Sequence, residues 1–144
     1  MTRGELASAI AQTIRLEPAR GIPPAITDVL ASSPEADEIA LVVAAGLMAT
    51  ERDSFRPANP ISRQEAATVL VRLAERYRSE VLPAPTVELN DAPAIAPQHR
   101  DAVFAAHRAN LLKTDAKGIR PDAKLTREEA AEAMYKIIGF PWAE

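Results

Sequence analysis

Apolar residues recur at helical spacing in five stretches of this chain, and polar, proline-bearing segments separate them. Leu6, Ala9, Ile10, Thr13 and Ile14 make one stripe over residues 2–16, with Pro18 as the stop. A loop over 18–34 carries Pro23-Pro24 and the turn-like Asp28. Ser32, Ser33 and Pro34 then signal a second helix, with Ile39, Val42, Val43, Gly46 and Leu47 on one face and Gly46 marking its end. The third helix runs from Ser62 to Arg78 and turns Ala66, Val69, Leu70, Leu73 and Tyr77 inward. Residues 82–97, with Pro83, Pro85, Pro93 and Pro97, read as a connector with a short extended stretch at Val87–Leu89. A fourth helix spans Gln98 to Leu111. The fifth buries Ala130, Ala133, Met134, Ile137 and Ile138 and is stopped by Gly139 and Pro141. The expected fold class is all-α.

Three of these helices begin with the same kind of tetrapeptide: Thr2-Arg3-Gly4-Glu5, Ser62-Arg63-Gln64-Glu65 and Thr126-Arg127-Glu128-Glu129. A Ser or Thr with Glu three residues later is a capping box. The hydroxyl accepts from the backbone N–H of the third helical residue, and the Glu reaches back to the cap's own N–H. Thr2, Glu5, Ser62, Glu65, Thr126 and Glu129 are therefore assigned to helix capping. The arginine at the first helical position is the unexpected choice. That end of a helix carries partial positive charge, so an exposed cation there costs about 0.3–1 kcal/mol. Two explanations are open. An anion bound at the helix start would gather the free N–H groups and the guanidinium. Alternatively, each arginine pairs with a nearby acidic side chain and orders a loop.

Sliding residues 36–78 by 64 positions reveals the internal order of the chain. Ser62 lands on Thr126, Arg56-Pro57 on Arg120-Pro121, Ile61 on Leu125, Leu47 on Leu111 and Asp37 on Asp101, with no gap. Asp28 and Asp91 correspond after a slip of one residue. The repeating unit is loop, helix, Arg-Pro loop, capped helix, and such units share a core with their neighbours. Two units are full, at 21–80 and 81–144, and residues 2–20 supply only the second helix of another. Together they make one expected domain over 1–144.

Phe55-Arg56-Pro57 followed by Ile61-Ser62-Arg63-Gln64-Glu65, and Ile119-Arg120-Pro121 followed by Leu125-Thr126-Arg127-Glu128-Glu129, resemble the S-layer homology (SLH) family over nearly the whole chain. The chain departs from the family pattern in several places. The tryptophan usual near each unit's first helix is absent, Ser54 stands where the family has Gly, and Ile119 stands where it has Phe. The resemblance implies a pseudo-threefold domain. Its capped helices would form a central three-helix bundle, and the other helices and the Pro-rich loops would form outer prongs with grooves between them. It implies a non-covalent anchor that holds a secreted protein to anionic, often pyruvylated, cell-wall polysaccharide. The family's motif arginines map onto Arg3, Arg63 and Arg127. Arg56 and Arg120, beside fixed prolines, are support contacts. On this reading Arg63→Ala and Arg127→Ala weaken binding without unfolding the domain.

Composition narrows the alternatives. The chain is 47% hydrophobic and 26% charged with a net charge of −3, so no basic surface invites nucleic acid. Aromatic residues are 4%, few for sugar stacking, and no cysteine is present for disulfides or thiol chemistry. No stretch is long and apolar enough for a membrane span. Arg3 and Glu5 lead into an amphipathic helix rather than a signal peptide, so any export signal is expected outside this sequence. His99 and His107 have no carboxylate cluster to complete a metal site and read as core-edge residues. Asp115 to Lys124 does not fit a calcium loop. Trp142 is a lid over the bundle or an exposed stacking residue.

The expected protein is thus a cell-envelope binding module, extracytoplasmic, with no catalytic residues, metal or cofactor. It contacts polysaccharide through Arg3, Arg63, Arg127, Arg56 and Arg120. The alternative is a protein-interaction or assembly module on the same fold, with sugar binding lost and another chain filling the incomplete first repeat.

Overall fold

A computed structural model of the 144-residue chain describes residues 1–17 and 25–139. Pro18, Pro23, Pro24, Pro141 and Trp142, which the sequence marks as helix stops, loop and lid, lie outside them. The described residues form five α-helices: α1 Arg3–Thr13, α2 Ala36–Ala44, α3 Arg63–Arg78, α4 Arg100–Arg108 and α5 Arg127–Ile138. Two short 3₁₀ turns, Ala92–Ala94 and Pro97–His99, precede α4. Extended pairing among the described residues is confined to four isolated bridges, so the fold is all-α. Val87–Leu89 forms no bridge.

The chain divides into two compact units, Met1–Pro60 and Ile61–Glu144. This division is out of phase with the sequence repeat. Each unit opens with a capped helix and continues through the next repeat's first helix and Arg-Pro loop. In the first unit α1 packs on α2 and buries Leu6, Ala7 and Ile10 with Ile39, Val42, Leu47 and Phe55. In the second, α3 packs on both α4 and α5. Its buried Ala66, Val69, Leu70 and Leu73 share the unit with buried Val103, Phe104, Ala133 and Ile137. Each large aliphatic side chain withdrawn from water in this way contributes about 1.5–3 kcal/mol.

Several expected positions shift. Helix α1 ends at Thr13 rather than 16, because Ile14 is extended (φ −116°, ψ 130°) while its N–H still closes the last turn on Ile10. Its buried stripe is Leu6, Ala7 and Ile10, whereas Thr13 is exposed and donates its hydroxyl to Ala9 O. Tyr77, read from the spacing as inward, is exposed on the last turn of α3. Helices α2 and α4 are shorter than the sequence suggests, and both end alike. Gly46 and Asn110, 64 positions apart, take left-handed φ values of 73° and 60°. The next residue then bonds back across the end, Leu47 N–H to Val42 O and Leu111 N–H to Ala106 O.

Candidate functional site

At all three tetrapeptides the cap hydroxyl bonds the helix start as the sequence predicts. Thr2, Ser62 and Thr126 sit in extended backbone, and their hydroxyls accept from the N–H groups of Glu5, Glu65 and Glu129. In α5 the full box is present, with Glu129 accepting from Thr126 N–H at 3.2 Å.

What the first two helix starts hold is a loop. In the first unit the N–H groups of Arg3 and Gly4 donate to Asn59 O and Pro57 O, both at 2.9 Å. The Arg3 guanidinium bonds Phe55 O at 2.8 Å and Ala49 O at 2.7 Å and lies 4.8 Å from the centre of the Phe55 ring. In the second unit Arg63 and Gln64 donate to Ala123 O and Pro121 O at 2.8 and 3.0 Å. The Arg63 guanidinium bonds Ile119 O at 2.7 Å and also Lys113 O. It pairs as well with Glu129, the capping carboxylate of α5. Arg63 is 1% exposed and Arg3 8%. For both, the structure displays the loop-ordering arrangement. Burial pulls the Arg63 pKa below its usual value, helped by the nearby Arg120 charge and opposed by Asp115 and Asp91. A guanidinium stays ionised all the same, so the carbonyls and Glu129 compensate a buried cation. Arg127, by contrast, is exposed.

The loop held in this way has a strained corner. Arg56 and Arg120 stand at φ 57° and 52°, a left-handed conformation that costs a non-glycine residue about 1–2 kcal/mol. An aspartate from the start of the repeat holds each corner. Asp28 accepts from Phe55 N–H at 2.8 Å and Arg56 N–H at 2.7 Å, and Asp91 accepts from Ile119 and Arg120 N–H at 3.0 and 2.7 Å. Burial alone would raise the Asp28 pKa. The two backbone donors and the Ser54 hydroxyl outweigh it and hold the carboxyl below its ordinary value. The side chains of the two corner arginines are about half exposed, and each meets an acidic residue at 3.0 Å, Arg56 with Glu51 and Arg120 with Asp115.

Serine and glycine serve the same turn differently. A Cβ on Gly118, at φ 111°, would lie 2.2 Å from an Asp91 carboxylate oxygen. Ser54, its counterpart, instead donates its hydroxyl to Asp28 at 2.9 Å. The two aspartates are the functional residues that spacing alone did not assign. Their signal was their correspondence between repeats, shared by the acidic pair Glu51 and Asp115.

The histidines stand apart from this loop. His99 Nδ1 lies 2.7 Å from the Thr68 hydroxyl, and burial lowers its pKa, against a raising contribution from Glu65 and with Arg72 adding to the lowering. His107 is half-buried on α4. Among the described residues no group of three or more His, Asp or Glu side chains is placed to hold a metal ion. No helix among them is long and apolar enough to cross a membrane.

A helical chain built from repeats, in which the starts of α1 and α3 each clasp the Arg-Pro loop of their own compact unit and an arginine stands at each loop corner, has the build of a repeat module. The S-layer homology domain model matches it twice, over residues 25–67 and 88–131, together more than half of the chain. The chain belongs to the S-layer homology family, whose domains bind cell-wall polysaccharide and attach proteins to the cell surface. A search of curated proteins found no match.

Proposed function

We propose that this module anchors its protein by binding an acidic, pyruvylated cell-wall polysaccharide at Arg56 and Arg120. The observation that carries this reading is the pair of exposed arginines held at equivalent left-handed corners. Strain of this kind persists where surrounding structure enforces it, and it clusters at ligand-binding positions. The existing pairs with Glu51 and Asp115 are surface pairs, worth about 0–1 kcal/mol, so a polymer carboxylate displaces them at little cost. Arg3 and Arg63 contribute by clasping the carbonyl side of each corner rather than by meeting the sugar.

The test is sedimentation with purified cell-wall sacculi, intact and chemically stripped of polymer. The protein is expected to pellet with intact walls only. The Arg56→Gly/Arg120→Gly variant is expected to bind about tenfold more weakly, as loss of charge-assisted contacts implies. Equal pelleting with stripped walls, or wild-type binding by the double variant, would remove the proposal.

A second reading, a protein-interaction module without sugar binding, is favoured by the carboxylates already facing both arginines. Failure of the folded protein to pellet with either wall preparation would support it.

A further inference from the structure

The two loop corners share a backbone anchor but not a charge. Residues 49–60 and 113–124 correspond position by position. The first loop is neutral, with Arg52 and Arg56 against Glu51 and Asp53. The second is basic, with Lys113, Lys117, Arg120 and Lys124 against Asp115 and Asp122. The sign reverses at one position of the turn, where the first loop has Asp53 and the second Lys117, both exposed. The surrounding units lean the same way. Met1–Pro60 holds five basic and eight acidic residues, and Ile61–Glu144 holds twelve of each.

In the second turn one carboxylate joins Lys117 to the corner arginine. Asp115 Oδ1 accepts from Lys117 N–H at 2.8 Å, while Asp115 Oδ2 meets Arg120 Nε at 3.0 Å. The loop's other acid, Asp122, is turned to α3, where it accepts from the Gln64 amide at 2.8 Å. The first turn closes with the same bridge, Glu51 with Ser54 as Asp115 with Gly118, and Glu51 likewise pairs with Arg56 at 3.0 Å. Its tip, however, adds an anion where the second adds a cation.

We infer that Lys117 is a ligand-contacting residue, and that Lys117 and Arg120 together make the second loop the principal anion site of this module. The inference rests on the polysaccharide reading above and assigns most of the affinity to one of its two corners. A polymer carboxylate that takes the Arg120 guanidinium from Asp115 brings its charge beside Lys117 and gains a second cation. The same carboxylate at Arg56 comes beside Asp53 and is repelled. Neither effect reaches far in salt, since exposed charges are screened beyond about 8 Å at physiological ionic strength, but both turns place the residue within the corner's own hairpin.

The test is a binding isotherm of the full chain on intact cell-wall sacculi, run for the wild type and for single variants. Arg120→Gly is expected to account for most of the loss seen in the double arginine variant, and Arg56→Gly for about twofold. Lys117→Asp should weaken binding about threefold or more, Lys117→Gln less, and Asp53→Lys should strengthen it. Lys117→Gln keeps a side chain of similar length without the charge, so its loss is read on a folded protein. The differences should shrink at about 0.5 M salt. Wild-type binding by both Lys117 variants, or a loss in Arg56→Gly as large as in Arg120→Gly, would overturn this inference while leaving the polysaccharide reading in place. Failure of the wild type to pellet with intact walls would remove both.

Discussion

Arg63 ties the Arg-Pro loop of the second unit to the start of α5. It is buried, it bonds two loop carbonyls, and it pairs with Glu129. Removing one partner of a buried ion pair costs about 3–5 kcal/mol, so Arg63→Ala is expected to lower stability by that amount in urea unfolding. Arg63→Lys should recover little, because a point charge does not span carbonyls and carboxylate at once. A loss within about 1 kcal/mol of wild type would show that the ion pair is not what holds this site. This replaces the expectation that Arg63→Ala spares the fold. The corner arginines are expected to behave in the opposite way. Glycine relieves about 1–2 kcal/mol of left-handed strain and costs about 0.5–1 kcal/mol of chain entropy, so Arg120→Gly should leave the Tm equal or higher while weakening polymer binding. Gly118→Ala, which drives a methyl into the Asp91 carboxylate, should destabilise by about 1–3 kcal/mol in the same unfolding assay.

At the scale of the helix, the capping box was legible because its chemistry is local. The hydroxyl and the carboxylate are three residues apart and meet across one turn. Its cost of removal is equally local, and Thr126→Ala is expected to lose about 1 kcal/mol. Glu129→Gln should cost more, about 1.5–3 kcal/mol, because the amide still caps the helix but no longer neutralises Arg63. Thermal unfolding of the two variants separates these roles, and equal losses would argue against the second role of Glu129. The partner of Arg63 was not legible from spacing, since Glu129 is 66 residues away and already assigned to its own helix. The helix ends were readable where a residue tolerates left-handed φ, at Gly46. They were missed where an ordinary β-branched residue, Ile14, simply turned extended.

For the whole chain, two titrations shape stability against pH. His99 has a folded pKa below its ordinary 6.5, so the unfolded chain takes up the proton first and stability falls as pH drops through 6.5 towards the folded value. His99→Gln should flatten the curve in that window. Asp28 has a folded pKa below its ordinary 3.8, so its contribution is complete above that value and is lost as pH falls through the folded pKa. Asp28→Asn should remove this second fall, while equal acid slopes in variant and wild type would assign the fall to other groups.

The sequence by itself determined the helices, their caps, the 64-residue correspondence and the family, because all of these depend on residue type and spacing along the chain. Only the tertiary structure decided what Arg3 and Arg63 do. An arginine at a helix start meets either a solvent-borne anion or a loop, and the choice depends on which backbone carbonyls folding brings within about 3 Å. For Arg3 and Arg63 those carbonyls come from residues 46 to 56 positions further on. That pairing exchanges the cation's hydration for fixed carbonyls, and it leaves Arg56 and Arg120, secondary in the sequence reading, as cations at the exposed corners.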